Sequence, residues 1–277
     1  MAAFINRVTE GGGKTLWLDY IDYAGDLLAG GDIPWLETSR CAAWQRKAQG
    51  LLAADVLAMP VARVCSAWLD AHAPLRAAMG TKKRAVFPLK TLLADEALRS
   101  HLAEWVRAAR GSVPGPVLAL ACPSPRAWVA ASYAQALDAD CEVGEDEADS
   151  AALYIADFLR IFGESGIDAL LLSETATSEP ATPAEIACYQ SVLNVAFHYR
   201  WDVGLSVPGH RYAGGAAGLD FVIAPESLSG AVTGLDIPAA FWDGAAPPAA
   251  QPGSFRHATV PRHADPERVL ERLALLR

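Results

Sequence analysis

The sequence predicts an α/β fold, a (β/α)8 barrel filling residues 1–277 as one domain, and three observations carry that expectation. Short apolar runs of strand length alternate with longer helical stretches along nearly the whole chain. The runs are apolar on both phases, which implies burial on both faces of the sheet, as in parallel sheets. The alternation continues for about 250 residues, the length a closed ring of eight units needs. A doubly wound open sheet is the competing architecture. The barrel expected here admits trimmed or irregular elements.

Composition agrees with a large core. Of 277 residues, 52% are hydrophobic and 20% charged, which excludes low-complexity disorder. At roughly 150 residues per domain, one large or two small domains fit, and no linker divides the chain. Lys and Arg number 23 against 32 Asp and Glu, a net charge of −9 that argues against a duplex nucleic-acid binder.

In chain order, Thr15-Leu16-Trp17-Leu18 reads as a buried strand closed by Asp19 and Tyr20. Residues 35–72 read as helical, interrupted at Met59-Pro60. Arg84-Ala85-Val86-Phe87 reads as the second strand. Leu98, Leu102, Trp105 and Val106 form one stripe of a helix over 95–110. Residues 116–120 give a third strand, with helices over 126–137 and 147–165. Strands follow at 167–172, 202–206 and 219–223, and a short one at 231–234. A helix over 183–199 lies between the first two of these. The last strand spans 256–260, and Asp265 caps a final helix that has Pro266 at its first position.

The first residues carry no apolar stretch like a secretory signal, and no run of ~18 apolar residues occurs. Five scattered cysteines without a CxxC pair read as reduced thiols. A cytoplasmic protein is therefore expected, with a small-molecule substrate and neither membrane nor nucleic acid as partner. Exposed apolar surface at a trimmed helix would point to a homodimer or another obligate partner.

Two inviting motifs fail. Gly11-Gly12-Gly13-Lys14-Thr15 resembles the tail of a phosphate loop, but position 8 is Val8 and a strand follows, so a turn is expected. No G-x-G-x-x-G opens a helix after a first strand. Among six histidines there is no HxH or HExxH pair, so neither metal nor cofactor is expected.

In a barrel, chemistry sits at the C-terminal ends of the strands. Those ends supply Asp19, Glu174, His210 and His263 as candidate catalytic residues. Arg126, Arg211, Tyr212, Tyr23 and Arg262 are the candidate substrate-binding residues. Arginine offers a planar fork for carboxylates, tyrosine suits a flat or cyclic body, and histidine is the natural proton donor near neutrality.

Val117-Leu118-Ala119-Leu120-Ala121-Cys122-Pro123 resembles a strand segment of uroporphyrinogen decarboxylases. So does Phe162-Gly163-Glu164-Ser165-Gly166-Ile167-Asp168, continuing through Leu172-Ser173-Glu174. Leu205-Ser206-Val207-Pro208-Gly209-His210, Val232-Thr233-Gly234-Leu235-Asp236-Ile237-Pro238 and Arg262-His263-Ala264-Asp265-Pro266-Glu267 are similar to later segments of that family. The broader superfamily also holds cobalamin-independent methionine synthase and corrinoid-protein methyltransferases. Asp19-Tyr20-Ile21-Asp22-Tyr23 and Phe87-Pro88-Leu89-Lys90 stand where the decarboxylases carry an arginine-rich segment and a strand ending in FSD. The resemblance implies a (β/α)8 barrel and a cofactor-independent, decarboxylase-like lyase acting on a small or cyclic carboxylate. Methyl transfer and a non-catalytic ligand-binding barrel are the alternatives.

Overall fold

The structure is a computed structural model that describes residues 3–175, 182–207, 218–228, 232–249 and 251–277. Eight parallel strands follow one another around a nearly closed (β/α)8 barrel: β1 (Leu16–Asp19), β2 (Val56–Pro60), β3 (Val117–Pro123), β4 (Ala169–Ser173), β5 (Asp202–Ser206), β6 (Phe221–Ala224), β7 (Val232–Asp236) and β8 (Phe255–Thr259). The ladder runs β1-β8-β7-β6-β5-β4-β3-β2. At the seam between β1 and β2, Asp55 takes the ladder's place. Its N–H donates to Leu16 O at 2.9 Å, and its carboxylate accepts from Leu16 N at 2.8 Å.

The helices are α1 (Ala3–Glu10), α2 (Ile21–Ala29), α3 (Thr38–Leu52), α4 (Val61–Ala71), α5 (Ala73–Met79), α6 (Phe87–Leu93) and α7 (Glu96–Ser112), then α8 (Pro125–Leu137), α9 (Glu145–Leu159), α10 (Pro183–Ala187), α11 (Gln190–Tyr199) and α12 (Pro266–Ala274). Two sequence expectations are corrected. The second strand is Val56–Pro60, inside the stretch read as helix: its Ala-rich flanks mimic a helix, while Asp55 and Pro60 bound a strand-length run. Arg84 to Phe87 is not a strand but leads into α6, where Pro88 occupies the first turn and Leu89, Leu92 and Leu93 are buried at helical spacing. Gly11 to Lys14 form the expected turn, with Gly12 and Gly13 at positive φ.

The lower half of the barrel is solid. Inward residues of alternate strands meet there, and α1 closes the bottom by inserting Phe4 against Trp17, Phe221 and Phe255, at ring centroids of 5.4, 4.8 and 5.0 Å. Edge-to-face contacts of this kind are favourable beyond their burial. Glycine on neighbouring strands makes room for these rings: a Cβ on Gly204 would stand 2.1 Å from the Phe221 ring, and one on Gly234 2.4 Å from Phe255. Asp202 holds the plug, its Oδ2 accepting the N–H groups of Phe4 (3.1 Å) and Ile5 (2.9 Å). Burial pushes the Asp202 carboxyl up to about 6, against the pull of those two N–H groups.

After β5, β6 and β7 no α-helix occurs among the described residues, only a 3-10 turn over Ala239–Phe241. The outward side chains Leu205, Val222 and Leu235 are nevertheless buried. No helix among the described residues is long and apolar enough to cross a membrane.

Candidate active site

Above the aromatic plug the inward residues become small: Ala58 on β2, Ala121 on β3, Ser173 on β4 and Ser206 on β5. They open a cavity of about 310 Å³ at the C-terminal ends of the strands. Trp17, Leu171 and Ile223 form its apolar floor; Asp19, Asp22, Arg63, Asp236, His257 and Thr259 bring polarity to one side of it. These groups come from β7, β8 and β1 and from the first turns of α2 (Asp22) and α4 (Arg63), which follow β1 and β2, so they are consecutive around the ring.

Strand alternation sets this arrangement. In β8 the inward phase is Phe255, His257 and Thr259, while Arg256 points outward and donates to Leu276 O at 2.8 Å. His257 pairs in register with Asp236 on β7 and Trp17 on β1. Its Nδ1 lies 2.9 Å from Asp236 Oδ1, so Nε2 is the nitrogen left for a ligand, without a partner among the described residues. Such a carboxylate fixes the tautomer and stabilises the imidazolium. Across the β1 side, Arg63 Nη2 lies 3.1 Å from each Asp22 oxygen.

Of the residues expected from sequence, Asp19 lines this cavity, and its Oδ1 accepts Ile21 N–H at 3.3 Å. Glu174 follows Ser173 but stands outside the lining; its Oε1 accepts from the buried Tyr189 hydroxyl at 2.5 Å, and its N–H donates to Ser206 O. Burial, then the Glu174 charge, pushes the Tyr189 phenol far up. Arg126 also lies outside the lining, bound to Glu185 at 2.5 Å. Burial pushes the Glu185 carboxyl up, but the Thr182 N–H and the guanidinium outweigh it and hold the group low.

Arg262 and His263 sit together on the rim rather than in the cavity. Arg262 grips Asp26 with Nε and Nη2, both at 2.8 Å, and His263 Nδ1 is 3.2 Å from the same carboxylate. That link ties the β8–α12 turn to α2. Tyr23 is 2% exposed and packs in the core between α2 and its neighbours. His210, Arg211 and Tyr212 lie outside the described residues. The structure thus brings Asp19 to the cavity, places Glu174 beside it, and moves Arg126, Tyr23, Arg262 and His263 to supporting positions.

Sequence reasoning missed His257, Asp236 and Arg63. A signal for the first two existed: inward phase counted along β7 and β8 puts both toward the barrel axis. Among the described residues no group of three His, Cys, Asp or Glu side chains could hold a metal ion. All five cysteines are free; burial pushes the Cys65 thiol up to about 12 and Cys41 to about 11. No protein-family model matches this chain, and no curated protein matches it.

Proposed function

We propose that the chain is a cofactor-independent lyase of the decarboxylase type, acting on a small or cyclic carboxylate at the C-terminal mouth of the barrel. One observation carries most of the weight: the Asp236–His257 pair lines a cavity with an otherwise mainly apolar floor. The volume of about 310 Å³ suits a small substrate, at the low end of the range for ligand sites. A macrocycle of porphyrinogen size is too large for it.

Arg63 takes the place of Arg126 and Arg262, both held by carboxylates outside the cavity, as the anchor for a carboxylate. Only its Nη2 is used by Asp22, which leaves Nη1 and Nε to form charge-assisted bonds. The reacting carboxylate would lie over the apolar side chains of Trp17 and Leu171. In the step itself the C–CO2 bond breaks, CO2 leaves, and the electron pair stays on carbon. An acceptor carried by the substrate, an adjacent carbonyl or an aromatic ring, spreads that pair. Protonated His257 then donates from Nε2 to the carbon, with Asp236 holding the ring in place, and solvent restores the proton.

The test is CO2 release from a panel of small β-keto and aromatic carboxylates. Replacing His257 with Gln is expected to lower kcat by ~10²–10⁴ with little change in KM. Arg63→Gln is expected to raise KM instead. Unchanged turnover in His257→Gln would remove that residue from the chemistry. Binding of panel members without any CO2 release would favour a non-catalytic barrel.

A further inference from the structure

We infer that α9 and α11 form the face through which two copies of this chain associate, docked antiparallel about a two-fold axis. The two helices lie side by side outside the sheet, and both run from the mouth end toward the closed end. A groove of about 430 Å³ separates them, with Ala156 and Val195 in its lining. Along α9 and into the 3-10 turn that follows it, the residues Asp146, Asp149, Leu153, Asp157 and Arg160 recur every three or four positions and are all exposed, so they form one outward stripe.

Two large apolar side chains stand in the open on these helices: Leu153 on α9 is 58% exposed and borders the groove, while Phe197 on α11 is 85% exposed and stands on the flank of α11 away from it, beside Leu193 and Arg200. Among the described residues no other Phe, Tyr or Trp side chain is exposed, so an open phenylalanine and an open leucine on neighbouring helices, with a groove between the helices, mark a contact surface. Charge says which partner fits. The mouth end of the face carries Glu145, Asp146 and Asp149; the closed end carries Arg160, His198 and Arg200, with Asp157 beside them already paired to Arg99. Compensation of the helix dipoles accounts for this placement of signs but not for Leu153 and Phe197. With antiparallel docking, the acidic end of each copy meets the basic end of the other, and the apolar residues meet between them. Two chains of net charge −9 would otherwise repel, so this split of signs lets like associate with like. A uniformly basic partner would be repelled by the Arg160 end.

Sedimentation velocity on the purified protein tests the inference, and a dimer is expected for the native sequence. The double variant Leu153→Glu, Phe197→Glu should weaken association about 100-fold or more while its circular dichroism stays native. Charge variants give a second, independent reading. Arg160→Glu with Arg200→Glu, and separately Glu145→Lys with Asp149→Lys, should each be monomeric alone. Mixed in equal amounts they should form a heterodimer, because both contact regions then regain opposite signs. A monomeric native protein overturns the inference. So does a dimer indifferent to Leu153 and Phe197, or a mixture of the charge variants that stays monomeric.

Discussion

His257 reaches the cavity because β8 places every second side chain on the barrel axis, and Asp236 reaches it through register with β8. The same two-residue period makes Gly204 indispensable in a different way. Its position faces the Phe221 ring at a distance where a methyl group cannot stand, and the ring is buried on all sides. Gly204→Ala is expected to destabilise the fold by about 1–3 kcal/mol through overpacking, measured by chemical denaturation. Gly50 in α3 is the matched control: a Cβ there meets nothing within 4 Å, so Gly50→Ala should stabilise by about 0.5–1 kcal/mol. Equal effects at both sites would contradict the packing argument. At this scale the sequence was partly legible. Asp19 was found because a polar residue closing a strand stands out, whereas His257 lies inside a strand and shows its role only once the phase is counted. Arg126 and Arg262 looked available because their carboxylate partners, Glu185 and Asp26, are far away in sequence.

Aspartates just before alternate strands recur as a device at the level of elements. Asp55, Asp168 and Asp220 precede β2, β4 and β6. The N–H of each donates to the carbonyl of Leu16, Leu118 or Val203, and its carboxylate accepts the N–H of that same residue. Arg7 supports Asp55 and Arg110 supports Asp168. This two-way clip sets the level at which each strand enters the barrel, and it is visible in sequence as Asp ahead of an apolar triplet. Most strands were legible as apolar runs of strand length. β2 was not, since its alanine-rich surroundings carry helical periodicity through it, and α1 offered too short a pattern to be read as a plug. The hold of Asp202 on α1 has a pH signature. Its carboxyl titrates near 6 when folded, above its ordinary value near 3.8, so the folded state binds the proton more readily. The stability from that proton is fully present below about 4 and is lost as pH rises through about 6. Asp202→Asn keeps an acceptor for the helix but cannot ionise. Its Tm relative to the native protein should therefore climb between those two pH values and then level off; a difference independent of pH would refute the reading.

For the whole molecule, the alternation of strand and helix was enough to indicate the barrel, because buried parallel strands have few other solutions. Less legible was how unevenly the helices are shared. Six of them, α2 to α7, lie between β1 and β3, while the connections after β5, β6 and β7 have no α-helix among the described residues, and the outward side chains there are still hidden. A pattern of apolar runs tells how many strands must be covered, but not which segments cover them. The solid lower barrel bears on traffic. A vessel with a sealed base has one doorway, so whatever enters the cavity over Trp17 must leave past Asp19 and Arg63 by the same route. A product of the proposed reaction, once its CO2 has departed, would still occupy the threshold that the next substrate needs. Initial-rate measurements should then show inhibition by the decarboxylated product that is competitive with substrate, and a purely noncompetitive pattern would mean the base is not sealed in solution.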